Sequence, residues 1–180
     1  MRLFWSRGYE ATSVSDLTEA MGINPPTLYA FFGDKKRLFL ETAELYQEGP
    51  GGFAVTALRE EPTAERAIRR LLAAAADRFS DPDQPKGCMM VCAATNCRPE
   101  ADDIFAALAE QRLGAEAAIR ARIAAGRAAG ELPPRTDIDA LAGLIAATLF
   151  GLAVKARDGA SRARLRKIAG EAMRAWPRRS

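Results

Sequence analysis

The sequence predicts an all-α protein: a short helix-turn-helix head followed by a larger helical body. Three observations carry that prediction. No sustained alternation of Val, Ile, Thr or Tyr lies between turn residues, so strand signals are nearly absent. Apolar residues recur three and four apart, as one face of a helix requires. Most such stretches open near a Ser, Thr, Asn or Asp and close near a glycine or proline.

The elements follow in order. Met1 to Arg7 reads as a first helix closed by Gly8. Thr12 or Ser13 caps a short helix from Val14 to Met21, with Asp16 and Glu19 near its positive end. Gly22 breaks it. Asn24 caps the next helix, with Pro25 at the first position, where a missing N–H costs nothing. That helix runs to Phe32, and Gly33-Asp34 restarts the chain into a helix from Lys35 to Glu48. Gly49-Pro50-Gly51-Gly52 is the strongest break, and it divides a head, 1–48, from a body, 49–180. The body predicts helices from Thr63 to Phe79, Gly87 to Asn96, Pro99 to Ala129, Thr136 or Asp137 to Arg157, and Ser161 to Trp176. Ile138, Leu141, Ile145, Leu149 and Leu152 make one apolar stripe.

Composition narrows the chemistry. The 180 residues are 48% hydrophobic and 27% charged, an ordinary globular balance long enough to bury a core. The longest apolar stretch, Ala140 to Val154, is too short to span a membrane, and Arg2 and Gly8 interrupt any secretory signal. The expected location is the cytoplasm. With no histidine, the usual general base and the commonest metal ligand are missing. Neither a catalytic set, a metal site nor a cofactor is expected. Cys88, Cys92 and Cys97 are an odd set that argues against a disulfide framework. They read as small buried hydrophobes, with a thiol or soft-metal sensor as the alternative. Charge is uneven. Residues 1–48 hold five Lys/Arg against seven Asp/Glu, a net of −2, while residues 155–180 hold nine against two, a net of +7.

The head carries the informative motif. Leu17, Ile23 and Leu28 are spaced to lock two short helices together, Ala20 is small enough for a close crossing, and Gly22 sits where the turn needs a left-handed residue. Gly8-Tyr9-Glu10-Ala11-Thr12-Ser13-Val14, then Gly22-Ile23-Asn24-Pro25-Pro26-Thr27-Leu28-Tyr29, then Phe32 and Lys35-Lys36-Arg37-Leu38, follow in the order and spacing of the TetR/AcrR regulators. The chain resembles that family over its first quarter. Two departures stand out. Thr18 replaces the family's usual alanine, and the chain is expected to open inside the family's first helix.

The resemblance implies a sequence-specific DNA-binding regulator, a repressor released from its operator by a small apolar or amphipathic molecule. It implies that Asn24 to Phe31 enters the major groove, where the small Pro25, Pro26 and Thr27 let the backbone come close, Thr27 reaches a phosphate or a base edge, Asn24 is the one amide available for readout unless capping occupies it, and the Tyr29 hydroxyl meets a phosphate. Lys35 would meet the DNA backbone, and Thr12 or Ser13 would hold a phosphate with the amides of the helix they cap. None of Pro25, Pro26 and Thr27 has a bidentate fork, so readout would lean on shape, water and thymine methyl contacts. A homodimer would present two heads to successive half-sites. Its interface would use Leu141, Ile145, Leu149, Leu165, Ile168 and Trp176, an intramolecular core face being the alternative. A ligand pocket would be lined by Phe53, Phe79, Met89, Met90, Cys92, Phe105, Leu108 and Phe150, plain core again being the alternative. The basic stretch from Arg157 to Arg179 reads as a solvated helix face. A small helical enzyme and a protein-binding adaptor are the competing classes. The missing histidine weighs against the first, and binding to a promoter fragment separates the chain from the second.

Overall fold

In a computed structural model, residues 1–93 and 102–178 are described. Among them the chain is helical, without strands: α1 (Arg2–Arg7), α2 (Val14–Met21), α3 (Pro25–Phe32), α4 (Lys35–Glu48), α5 (Phe53–Glu60), α6 (Ala64–Phe79), α7 (Met89–Cys92), α8 (Asp102–Ala128), α9 (Ile138–Arg157) and α10 (Arg162–Ala172). A 3-10 turn, Met173–Ala175, ends the last helix earlier than the sequence suggests. Asn96, Cys97 and Pro99 lie outside the described residues.

Caps explain most boundaries. Ser13, Asn24, Asp34, Thr63, Asp137 and Ser161 each accept a backbone N–H three residues on. Gly22 takes the left-handed conformation (φ 65°, ψ 31°) that the α2–α3 turn requires. The sequence reading missed α5. This helix follows a glycine run, has no side-chain cap and fully buries only Ala57. Its stability comes from packing on α6 rather than from local signals.

Two clusters make the core. One joins α5, α6, α8, α9 and α10 around Ile68, Leu71, Leu72, Ile119, Ile123 and Ile145. The other joins Phe4, Trp5, Leu17, Leu28, Phe39 and Tyr46 of the head to Met89, Met90 and Ala93 and to Ile104 and Leu108. The head therefore completes its core with α7 and the start of α8. Hydrogen bonds fasten the same seam. Trp5 Nε1 donates to Gly87 O (3.1 Å), the Tyr9 amide to Ala93 O (2.9 Å) and Arg2 Nη2 to Asp83 O (2.7 Å).

α9 runs from Ile138 to Arg157, as its cap and apolar spacing predict. By length and composition it passes as a membrane span. It is a core helix, with nine residues buried against α6, α8 and α10. The stripe Ile138–Leu152 is its inner face, which corrects the expected interface. Leu141, Ile145, Leu149, Leu165 and Trp176 are buried within one chain, and Ile168 is partly buried against the same core. Periodicity identifies a buried face without saying which helix buries it. The exposed face of α9 is a different one, Leu144, Ala147, Gly151 and Val154, with Leu144 and Val154 respectively 45% and 44% exposed.

Candidate nucleic-acid interface and the cavity in the body

α3 is held rigidly and presented outward. Leu28 is its fully buried anchor. Asn24 Oδ1 accepts from the Thr27 amide (2.9 Å) and the Thr27 hydroxyl (2.7 Å), which fixes the first turn. Asn24, Pro25, Pro26, Tyr29 and Ala30 are exposed. The Tyr29 ring is 47% exposed, and its hydroxyl makes no hydrogen bond among the described residues. Phe31 is 74% exposed, the most open aromatic in the chain. The resemblance ends the groove-entering stretch at Phe31 and assigns this side chain no contact.

Of the three contacts expected on the neighbouring elements, burial overturns one. Thr12 is fully buried, and its hydroxyl donates to Gly8 O (2.7 Å), so it faces inward and cannot hold a phosphate. Ser13 is the cap of α2, in a capping box with Asp16. The Asp16 amide donates to Ser13 Oγ (3.0 Å), and the Ser13 amide donates to Asp16 Oδ2 (2.8 Å). The hydrogen bonds from Ser13, with Arg7 beside it, hold the Asp16 carboxyl below the usual range. That carboxylate already sits at the positive end of α2, where a phosphate would have gone. Lys35 does not hold out a free ammonium. Its Nζ donates to Tyr9 O and Thr12 O, both at 3.0 Å, and lies 4.2 Å from the Tyr9 ring centroid. Burial lowers its pKa, with the Glu10 charge opposing.

The other head cations are also engaged. Arg7 pairs with Asp16, Lys36 with Asp103 and Arg37 with Glu41, while Arg2 reaches Asp83 O. Thr18, the family departure, satisfies its hydroxyl on Val14 O and Ser15 O, both at 3.0 Å. Ala20 is exposed, so its small size does not serve the helix crossing.

The body holds a cavity of about 740 Å³ between the end of α4, α5 and α8. Its walls are small. Gly114, Ala115, Ala118, Ala121 and Ala125 of α8 face Ala54, Val55 and Leu58 of α5. Glu44, Gln47 and Glu48 of α4, with Gln111, line one part, where Gln47 Nε2 donates to Gln111 Oε1 (2.6 Å). Arg59 and Arg122 line another. Both size and mixed lining suit an amphipathic small molecule.

None of the eight expected pocket residues lines this cavity. Phe53, Phe79, Met90 and Phe150 line a smaller space of about 70 Å³, which shares Gln47, Gly51, Ala54, Gln111, Ala115 and Leu149 with the larger one. Met89 and Leu108 are buried in the seam with the head. Phe105 is exposed under the Arg112 guanidinium. Cys92 lines a gap between body and head. Bulky side chains fill space, and the cavity opens where alanines leave it. The thiol of Cys88 is pushed up by burial, against a hydrogen bond from Tyr46, which disfavours the reactive thiolate. Among the described residues no group of three His, Cys, Asp or Glu is placed to hold a metal ion.

A capped helix-turn-helix with an exposed second helix, on an all-helical body with an open cavity, defines a sequence-specific DNA-binding transcriptional regulator. The chain matches "Bacterial regulatory proteins, tetR family" over residues 1–42 and "Tetracyclin repressor-like, C-terminal domain" over residues 64–171. It is 36% identical to the HTH-type transcriptional repressor ComR of Escherichia coli K12, covering 98% of this chain and 85% of ComR. It is 31% identical to BdcR of the same organism, a repressor of the same type, covering 96% and 84%. Among solved structures, the TetR family regulator CifR, in a cysteine-substituted form complexed with 26 bp operator DNA, superposes with a TM-score of 0.95 at 40% identity, covering 98% of this chain and 92% of that one. A TetR regulator from Rhodococcus sp. RHA1 gives 0.65 at 39% identity, covering 99% and 96%. The chain belongs to the TetR family.

Proposed function

We propose that the protein is a homodimeric repressor acting in the cytoplasm, released from its operator by a small amphipathic molecule bound in the 740 Å³ cavity. The observation that carries this reading is the position of α4. Its last turn supplies Glu44, Gln47 and Glu48 to the cavity wall, and its first half supplies Leu38 and Phe39 to the core of the head. A ligand that fits a wider cavity better shifts the end of α4 and tilts the head. The shift can be no larger than the ligand's preference between the two states. The exposed stripe Leu144–Ala147–Gly151–Val154 is the dimer face, replacing the buried residues first expected. Two heads then read two half-sites through Asn24, Pro25, Pro26, Thr27 and Tyr29. The same fold serves as a regulator and not as a catalyst.

Two experiments test the reading. On DNA from the chain's own upstream region, Tyr29→Phe is expected to weaken binding about tenfold, roughly one charge-assisted hydrogen bond, and equally on every operator variant. Unchanged affinity in a gel-shift titration removes Tyr29 from the interface. Ala118→Trp fills the cavity and is expected to bind that DNA as well as the parent. A reporter on the same promoter then stays repressed under growth conditions that release the parent protein. Normal release would place the effector outside this cavity.

A further inference from the structure

We infer that Arg157 is a positioning residue that transmits the placement of the dimer helix to the DNA-reading head. This rests on the dimeric, operator-binding reading above. The sequence assigns Arg157 to a solvated basic stretch, but the structure gives it a different task. Its Nη2 donates to Ser6 O (3.0 Å) and its Nη1 lies 3.4 Å from Cys92 O. Ser6 belongs to the last turn of α1, and Cys92 is the last residue of α7. One guanidinium, carried by a third helix, therefore sits between the carboxyl ends of two others. Carbonyls near the carboxyl end of a helix carry partial negative charge, so a cation there is favoured. The guanidinium sets a separate nitrogen against each carbonyl in one rigid plane, whereas a lysine would have to meet both from one nitrogen on a flexible stem.

The position of Arg157 gives the contact its meaning. It ends α9, one turn beyond Val154, which lies on the exposed stripe assigned to the dimer. Ala153 and Ala156, in the same turn, are fully buried and fix that end of α9 in the body. Val154 and Arg157 face Arg7, Gly8 and Ala11 of the head across a gap of about 350 Å³. Beside that gap, Arg157 is a contact that bridges the head and the end of α9. The other head fastenings reach the segment before and after α7, at Asp83, Gly87 and Ala93, or α8, at Asp103 and Gln111. Arg157 joins α1 directly to the helix that meets the partner subunit. It fixes the distance and angle between the two heads, not the affinity of either head for its half-site.

The test is a spacing series. The operator fragment protected by the parent protein is remade with one or two base pairs added to or removed from its centre. Each base pair changes both the separation and the rotation of the half-sites, by about a tenth of a turn. The parent is expected to bind the native spacing at least tenfold better than its neighbours. Arg157→Ala is expected to lose about tenfold at the native spacing and to bind the altered spacings as well as the parent does, which flattens the profile. Arg157→Lys, which keeps the charge and loses the fork, is expected to behave like the alanine variant. Melting temperature and sedimentation mass verify that both variants remain folded dimers. An alanine profile as sharp as the parent's, or an equal loss at every spacing, overturns the proposal while leaving the dimer intact. A lysine variant with the parent's profile overturns the role of the fork. A parent that sediments as a monomer on DNA overturns the dimer reading and this inference with it.

Discussion

Gly87→Ala is expected to destabilise the protein by about 3 kcal/mol and lower its melting temperature by roughly 6–12 °C, the scale for a chain of this length. Two costs add. Gly87 has φ +82°, a conformation that costs an L-residue about 1–2 kcal/mol. A Cβ there would also lie 2.7 Å from the carbonyl oxygen of Ala153 and 3.2 Å from the sulfur of Cys92. The carbonyl belongs to α9, and Ala153 is fully buried, so the helix cannot yield. The segment at Gly87 must move instead. Its amide donates to Phe79 O (2.9 Å), and its carbonyl accepts from Trp5 Nε1, so movement loosens the head as well as the body. Operator affinity is expected to fall with stability. Gly114→Ala is the control. It is helical, with nothing within 4 Å of the added carbon, so it should hold or slightly raise the melting temperature. A Gly87→Ala protein melting within about 3 °C of the parent would mean that the seam is softer than these distances imply.

What was legible in the sequence was local chemistry. The caps at Asn24, the glycine turn at Gly22 and the apolar stripe on α9 follow from residue type and spacing alone. The partner of each face was not legible. Leu141, Ile145 and Leu149 carry the same periodicity whether they meet α6 and α8 or a second subunit, and only the tertiary path of the chain decides. The larger cavity left no sign in the sequence for a related reason: it lies along Gly114, Ala118, Ala121 and Ala125, whose signature is the lack of bulk, beside the smaller space that Phe53, Phe79, Met90 and Phe150 line. Arg157 looked like solvated charge because its partners, Ser6 O and Cys92 O, are backbone atoms far away in sequence. Carbonyl acceptors leave no trace in residue type.

Lys35→Met is expected to weaken operator binding at least 30-fold and to cost about 2 kcal/mol of stability, one charge-assisted hydrogen bond net. Methionine keeps the apolar stem but leaves Tyr9 O and Thr12 O without their ammonium donor and removes the charge from the Tyr9 face. Those carbonyls belong to the turn that places the first residue of α2, and α2 in turn sets the angle of α3. Resemblance to the family assigns Lys35 to the DNA backbone, and the two roles make opposite predictions in salt. A phosphate contact, once lost, leaves the melting temperature alone and reduces the slope of log K against log salt by about 0.9 per lysine. A lysine that holds the turn lowers the melting temperature and leaves the slope unchanged, because no counterion release is lost. The geometry, with both hydrogen bonds at 3.0 Å and the charge lowered in pKa by burial, favours the second outcome. A Lys35→Met protein that melts like the parent and binds with a shallower salt dependence would return this residue to the DNA.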